Sequence, residues 1–145
     1  MEDRGQDRQD KLLYTDLTKT ILHCCFEVIN TLGVGFLESV YRNSLLIALL
    51  ENGLRVNSER CFEVIFHGRK VGQFIPDLIV ENVVIVELKV TEYLLREHQA
   101  QLINYLAVTD IQVGLLVNFG KKKLEYKRAY HPAYHAPDLA NPVPF

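Results

Sequence analysis

The apolar positions of the chain follow a helical spacing near its start and a strand-like spacing in its middle. Residues 15–32 place apolar side chains three and four positions apart, as in an amphipathic helix, and Gly33 follows as a stop. The same spacing predicts a second helix over residues 37–52, ended by Gly53, and a third over residues 94–108. Three helices are therefore predicted.

Around the third helix the pattern changes to that of β-strands. Residues 61–66 alternate, residues 71–80 return after a turn, and residues 83–90 form a third strand. Residues 113–117 are wholly apolar, as in the middle of a sheet, and residues 121–130 add an edge strand. A strand, a helix and a buried strand in succession predict a right-handed crossover with parallel pairing. The order α-α-β-β-β-α-β-β predicts an α/β (α+β) protein with a mixed central sheet of about four to five strands flanked by helices.

Length and composition are those of an ordinary soluble globular protein. The 145 residues suit one domain, and 48% hydrophobic with 23% charged residues is a typical balance. We expect a flexible tail over residues 1–12, a single domain over residues 13–130 and a Pro-rich arm over residues 131–145. No apolar run approaches a membrane span and the polar N-terminus has no signal-peptide core, so a cytoplasmic protein is expected. Its cysteines lack metal-ligand spacing and are expected to be buried reduced thiols.

Three charged side chains interrupt the apolar run at residues 75–89. Asp77, Glu87 and Lys89 lie on strands otherwise built of Val, Ile and Leu. Desolvating a charge that has no partner is costly, so these groups must be paired with one another or bound to a metal. A buried salt-bridge network and a metal site both satisfy that requirement.

The register of the hairpin around residues 81–82 decides whether the two acids meet. Alternate residues of a strand share a face, so Glu87 and Lys89 point the same way, roughly 6.6 Å apart. A two-residue turn sets Asp77 opposite Val86, on the wrong face for Glu87, whereas a three-residue loop or a bulge pairs Asp77 with Glu87. A single shared site therefore predicts one extra residue.

The third predicted helix carries a polar stripe. His98, Gln101 and Tyr105 occupy positions i, i+3 and i+7 on one face, beside an apolar stripe. Such a stripe is usual on any amphipathic helix. This helix directly follows the strand of Glu87 and Lys89, however, so the crossover could lay the stripe over the same end of the sheet.

Three motifs in this order resemble the PD-(D/E)XK nuclease superfamily. Pro76-Asp77, nine residues, then Glu87-Leu88-Lys89 is similar to its signature, and Gln101-x-x-x-Tyr105 is similar to the extra motif of its RecB-like branch. Gly35-Phe-Leu-Glu38-Ser-Val-Tyr41 resembles the motif that names the GxxExxY family, which is placed in that superfamily. The resemblance covers residues 15–130 and implies a restriction-endonuclease-like core.

The activity implied by the resemblance is phosphodiester hydrolysis supported by Mg²⁺ or Mn²⁺. The expected ligands are Asp77, Glu87, the backbone carbonyl of Leu88 and, directly or through water, Glu38. Lys89 would position the attacking water and offset charge in the transition state. Gln101 would orient the water, Lys89 or the phosphate.

The partner implied is nucleic acid, with DNA favoured over RNA and no membrane. His98 and Tyr105 are expected to line the nucleic-acid cleft. The basic residues Lys121, Lys122 and Lys123 either contact phosphate or keep a solvated strand edge from pairing. A homodimer would help so small a domain to grip a duplex.

Simpler interpretations stay open beside this one. Glu38 lies in the first turn of a helix, where stabilisation of the helix dipole explains an acid, and Tyr41 fits packing better than a site role. A non-cleaving module that binds nucleic acid or a protein could keep the same fold. So could a structural domain in which Asp77, Glu87 and Lys89 form a buried ion-pair network. Metal binding separates these classes, because a network that is already neutralised gains no stability from Mg²⁺.

Overall fold

The computed structural model describes residues 3–133, with side chains described from Tyr14 onward. Three α-helices and seven β-strands lie in this part of the chain. The helices are α1 (Asp3–Leu32), α2 (Glu38–Glu51) and α3 (Arg96–Thr109). The strands are β1 (Val56–Asn57), β2 (Phe62–Phe66), β3 (Arg69–Phe74), β4 (Leu78–Val80), β5 (Val84–Lys89), β6 (Val113–Asn118) and β7 (Glu125–Tyr130).

Five of the strands form one mixed sheet in the order β1-β4-β5-β6-β7. β5 and β6 are parallel, and the other neighbours are antiparallel. Because α3 connects the parallel pair, the predicted crossover with parallel pairing is confirmed. β2 and β3 form a separate antiparallel hairpin. The mixed sheet flanked by helices is the fold class expected, and it is consistent with a restriction-endonuclease-like fold.

Different elements cover the two faces of the main sheet. α1 and α2 pack on one face, where strand residues such as Leu88 and Leu115 join the larger apolar core. α3 and the β2–β3 hairpin cover the other face, where Ile85 joins a smaller core. Since alternate residues of a strand share a face, Glu87 and Lys89 follow Ile85 onto the α3 face.

The second predicted strand, over residues 71–80, is divided between the two sheets. β3 belongs to the separate hairpin, β4 belongs to the main sheet, and Ile75, Pro76 and Asp77 lie between them. Pro76 has no N–H to give to a strand ladder, and it restricts the backbone of the residue before it. The chain therefore leaves the hairpin at this point, and Asp77 immediately precedes β4.

Several boundaries differ from those predicted. α1 begins at Asp3 rather than at residue 15, so it covers most of the segment expected to be a flexible tail. β1 was not predicted, because two residues carry no alternation to recognise. β7 begins at Glu125 rather than at Lys121. The arm expected over residues 131–145 lies outside the described residues beyond Ala133.

The cysteines are only partly as expected. Cys24 and Cys25 are buried on α1, whereas Cys61 is exposed, which corrects its predicted burial. Cys61 lies directly before β2, a strand in which no residue is fully buried. Across the described residues, no helix combines the length and the apolar character needed to cross a membrane.

Candidate active site

The loop between β4 and β5 consists of three residues, 81–83. Leu78 pairs with Val86 in the antiparallel ladder, and the same register continues to set Asp77 beside Glu87. The extra loop residue that a shared acidic site requires is therefore confirmed. Without that residue, Asp77 would lie on the opposite face of the sheet from Glu87.

An ion pair holds this loop against the segment before β1. Glu81 accepts hydrogen bonds from the backbone N–H of Arg55 at 2.9 Å and from Arg55 Nε at 3.0 Å. The backbone N–H of Arg55 is the main cause that lowers the pKa of Glu81. Glu81 and Asn82 have φ angles of 53° and 57°, a left-handed backbone that residues other than glycine seldom adopt. The Arg55–Glu81 contact therefore supports the loop that positions Asp77.

The two acids are joined across the strands by backbone hydrogen bonds. Glu87 Oε1 accepts from the backbone N–H of Asp77 at 3.1 Å, and Asp77 Oδ2 accepts from the backbone N–H of Leu88 at 2.8 Å. The N–H and the C=O of a strand residue point to the same neighbouring strand, so the Leu88 carbonyl also faces Asp77. Two carboxylates and one carbonyl thus meet at one end of the sheet.

The surroundings do not fully compensate the charge that these acids would carry when ionised. Burial, followed by the charge of Asp77, raises the pKa of Glu87 to about 8, and Lys89 only partly offsets this effect. Burial and then Asp77 also raise the pKa of Glu38, against smaller opposing effects of Lys89 and Arg42. Glu38 is therefore close enough to feel both Asp77 and Lys89, although it belongs to the helix layer on the other face. A cation at this end of the sheet would relieve the repulsion.

Arg42 is a site residue that the sequence analysis missed. Its Nη1 atom lies 3.9 Å from Asp77 Oδ1, in a partly exposed ion pair. Arg42 follows Glu38 by one helical turn, so both side chains leave α2 on the same side. In the sequence, this i, i+4 spacing of Arg42 from Glu38 was the sign that the two side chains share one side of the helix.

Tyr41 anchors the start of α2. Its side chain is fully buried and stacks on Phe119, with ring centroids 5.0 Å apart. The hydroxyl donates to the carbonyl of Gly33 at 2.6 Å and accepts from the backbone N–H of Phe36 at 3.3 Å. The packing role expected for Tyr41 is thus what the contacts show, and its effect on the site is to fix the helix end that carries Glu38.

A narrow cleft, with almost no free volume of its own, lies between β5 and α3. Its lining residues are Glu87, Lys89, His98, Gln101, Leu102, Tyr105 and Leu116. The polar stripe of α3 therefore faces the two charged residues of β5, as the crossover argument predicted. The roles expected for His98, Gln101 and Tyr105 remain predictions, since their placement alone does not assign a function.

His98 and Tyr105 are held at opposite ends of this polar stripe. His98 Nδ1 accepts from the backbone N–H of Leu95 at 3.0 Å, so the proton of the neutral ring is on Nε2. Tyr105 stacks on Phe74, with centroids 3.5 Å apart. Burial and then the charge of Glu87 raise the pKa of Tyr105, and both side chains line the cleft.

Asn118 ties the segment after β5 to the segment after β6. It is 0% exposed and lies opposite Lys89 in the parallel ladder. Its Oδ1 accepts from the backbone N–H groups of Thr91 and Gly120, and its Nδ2 donates to Thr91 O and Glu125 Oε1. A Cβ atom on Gly120 would meet Thr91 O at 2.3 Å, so this approach requires glycine. The network fixes the segment between Lys89 and α3, and nothing in the local sequence pattern indicated it.

The basic residues that follow β6 are not part of the cleft lining. Lys121 lies 3.8 Å from Glu125 Oε2 and 4.2 Å from the centroid of the Tyr93 ring. Lys122 and Lys123 are exposed in the turn before β7. The structure therefore does not bring these three lysines together with Glu87, and a phosphate contact by them remains a prediction.

The donor set at the end of the sheet fits a hard divalent cation in chemical type. Asp77, Glu87 and the Leu88 carbonyl offer oxygen ligands, which Mg²⁺ and Mn²⁺ prefer. Within the described part of the chain, no group of three or more His, Cys, Asp or Glu side chains is arranged to hold a metal. Glu38 therefore acts on Asp77 through its charge without completing a three-carboxylate group. The two acids and the carbonyl supply only part of an octahedral ligand set, so water and phosphate oxygens would fill the other positions of a bound ion.

Comparisons with known proteins identify a family and a similar fold. A family model described as the PD-(D/E)XK nuclease superfamily matches residues 15–129. The crystal structure of SSO0001 has a TM-score of 0.53 and 19% sequence identity with this chain, over 66% of this chain and 50% of that one. At this identity the likeness concerns the fold alone, and the chain spans half the length of that structure. No curated protein matches the chain.

Proposed function

The chain belongs to the PD-(D/E)XK nuclease superfamily, and from that premise we propose that it is a Mg²⁺- or Mn²⁺-dependent nuclease that hydrolyses phosphodiester bonds. One observation carries the proposal: the three-residue loop pairs Asp77 with Glu87, and Lys89 lies on the same face of the sheet beside the cleft. The proposed substrate is DNA ahead of RNA.

The proposed metal ligands are Asp77, Glu87 and the Leu88 carbonyl. A bound divalent cation would supply Lewis acidity at the scissile phosphate. The two carboxylates hold their positions through the backbone hydrogen bonds of Asp77 and Leu88, so the ligand oxygens are oriented before any ligand arrives. Glu38 adds negative charge beside Asp77, and we assign it to the outer ligand sphere, through water.

Lys89 and Gln101 act on the water and the phosphate. Lys89 presents an ammonium group on the face of Glu87, where it offsets negative charge as the phosphorus becomes five-coordinate. Gln101 lines the same cleft and can donate to and accept from an attacking water at once. Its amide therefore suits the role of orienting that water.

The remaining cleft residues suit contact with the nucleic-acid backbone. His98 Nδ1 is occupied by the Leu95 N–H, so His98 Nε2 is the atom available to donate to a phosphate oxygen. Tyr105 offers a hydroxyl and lines the same cleft as Glu87. Both roles are part of the proposal.

We place the chain, within the superfamily, in the GxxExxY family of the RecB-like branch. The support is the position of two sequence motifs. The first, from Gly35 to Tyr41, leads into the first turn of α2, where burial and the charge of Asp77 raise the pKa of Glu38. The second puts Gln101 and Tyr105 into the cleft. A cytoplasmic location is proposed with it.

The test is cleavage of labelled single-stranded DNA, duplex DNA and RNA by the purified protein in Mn²⁺, Mg²⁺ or EDTA. Glu87→Ala and Lys89→Ala should abolish cleavage, and Lys19→Ala, at an exposed lysine of α1 that has no assigned role, should not. Cleavage that survives both cleft variants would reject the proposed site. Metal binding without any cleavage would favour the non-cleaving nucleic-acid or protein-binding module.

A further inference from the structure

The β2–β3 hairpin exposes apolar and aromatic side chains that no part of the core explains. Ile65 is 54% exposed and Phe66 is 62% exposed. The His67 ring stacks on Phe66, with centroids 4.0 Å apart and planes 12° apart. The hairpin turn His67-Gly68 has positive φ angles at both residues, a turn type that matches the twist of paired strands. The aromatic stack is therefore presented at the end of a well-formed hairpin.

The two faces of the hairpin differ. Phe62 pairs directly with Phe74, and Phe66 pairs directly with Arg69. Directly opposed residues share a face, and alternate residues of β2 share it too, so these four side chains lie on one face. Ile65 and its partner Lys70 lie on the other face.

The aromatic face leads back to the cleft. Phe74 is buried and stacks on Tyr105, which lines the cleft beside Glu87. The guanidinium of Arg60 lies 4.7 Å from the centroid of the Phe62 ring. Phe62 and Tyr105 are partly buried against the same small core as Phe74, so this face is covered near the cleft and opens to solvent at Phe66 and Arg69.

The charges on the hairpin are also divided by face. Lys70 Nζ lies 3.7 Å from Glu63 Oε1 and 3.1 Å from Gln73 Oε1, so its ammonium group is paired and hydrogen-bonded within the hairpin. Arg69 has no ion pair among the described residues. The chain as a whole has a net charge of −2, so an unpaired arginine beside exposed rings is a local feature and not a consequence of the overall charge.

We propose that the open end of this face, carried by Phe66, His67 and Arg69, binds a single nucleic-acid strand that continues outward from the cleft. Stacked rings accept bases of any sequence, and an adjacent guanidinium binds the phosphates between them. The inference rests on the proposed function, in that the bound strand is the nuclease substrate. It adds a binding surface outside the cleft that the catalytic motifs do not include.

The reach of the hairpin predicts a length dependence. Arg69 is eight residues from Asp77, and at about 3.3 Å per residue the two are at most roughly 26 Å apart. A stacked strand advances about 3.4 Å per nucleotide, so Phe66 and Arg69 meet nucleotides up to about eight positions from the cleft. At that full reach, four nucleotides, which span about 14 Å, would not occupy the cleft and the hairpin end together.

The test is fluorescence anisotropy of labelled oligothymidylates of about four and about sixteen nucleotides, in EDTA so that no cleavage occurs. Phe66→Ala and Arg69→Ala should weaken binding of the longer strand by about tenfold and leave the shorter strand unchanged. Arg69→Ala should also reduce the slope of log affinity against log salt by about 0.7, whereas Phe66→Ala should not change it. The matched controls are Ile65→Ala and Lys70→Ala, which remove the same kinds of side chain from the opposite face.

Equal losses in the two members of either pair, or equal losses with both strand lengths, would overturn the proposal. So would a wild-type dimer in sedimentation velocity that Phe66→Ala dissociates, because the hairpin would then bind a second copy of the chain. Face-specific and length-specific binding without any cleavage in Mn²⁺ would support the hairpin surface while rejecting the nuclease. Melting temperatures of the four variants, all at exposed positions, check that each is folded.

Discussion

The two faces of β5 are built from alternate residues of one strand, yet their chemistry differs. On the α1–α2 face, Val86 and Leu88 are fully buried in the larger core. On the α3 face, Glu87 and Lys89 are half-buried beside a cleft, and the pKa of Glu87 is raised to about 8. One face therefore stabilises the fold, and the other retains charge that costs stability, a combination typical of functional sites.

The largest expected difference between the two faces is in how a substitution changes activity. We expect Glu87→Gln to reduce metal-dependent cleavage by at least about 10²–10³-fold, because the amide keeps the shape of the side chain but loses the charge. The melting temperature without metal should not fall. Initial rates in Mn²⁺ and thermal unfolding of the same sample measure both. A large loss of stability would place Glu87 among the residues that hold the fold.

On the other face the opposite result is expected. Leu115→Ala removes a fully buried side chain from the larger core and should lower the free energy of unfolding by about 2–5 kcal/mol. Cleavage measured well below the melting temperature should change little. Leu37→Ala, at a side chain that is 76% exposed, is the control and should change stability by less than about 0.5 kcal/mol. An unchanged free energy of unfolding for Leu115→Ala, measured by denaturant unfolding, would contradict the structural role of this face.

Two glycine substitutions test the segment between Lys89 and α3, which the Asn118 hydrogen bonds hold in place. Gly120→Ala places a Cβ atom 2.3 Å from Thr91 O, where backbone must move. We expect a loss of stability of about 1–3 kcal/mol and reduced cleavage, because the Asn118 contacts to Thr91 are disturbed. Gly72→Ala meets nothing closer than Val64 Cβ at 4.0 Å and should be tolerated. Equal effects of the two substitutions on the melting temperature would contradict this role of Asn118.

The comparison of the two faces also predicts how stability depends on pH. The pKa of Glu87 in the folded protein, about 8, lies above the value of about 4.3 for an unfolded chain, so the folded state binds this proton more tightly. The stability linked to it is complete below about pH 4 and is lost as the pH rises to about 8. The raised pKa of Glu38 acts in the same direction. The melting temperature of the metal-free wild type minus that of Glu87→Gln should therefore fall across this range, and a flat difference would contradict the raised pKa.

Much of this arrangement followed from local rules in the sequence. Alternation along residues 83–90 predicted that Glu87 and Lys89 share a face. The need to pair Asp77 with Glu87 predicted one extra residue, in a three-residue loop or a bulge, and the structure has the loop. The helical spacing of His98, Gln101 and Tyr105 predicted a common surface, which lines the cleft. Each of these inferences depends only on the period of a strand or a helix.

The features that were missed depend on contacts between distant segments. β1 is recognisable only through its pairing with β4, and the Asn118 contacts join residues far apart in the chain. The ion pair of Arg42 with Asp77 requires α2 to meet the end of the sheet, which no single segment reveals. The division of residues 71–80 between two strands was also missed. Pro76 was a local sign of it, because proline interrupts strand ladders.

The most direct test of the central claim is calorimetric titration of Mn²⁺ into the protein at pH 7, repeated in buffers that differ in ionisation enthalpy. If Asp77 and Glu87 form a divalent-cation site, the wild type should bind Mn²⁺ and release close to one proton, because Glu87 is largely protonated at this pH before the ion enters. Glu87→Gln should bind more weakly and release none. Absence of binding by the wild type, or binding and proton release unchanged in Glu87→Gln, would contradict a metal site at this end of the sheet.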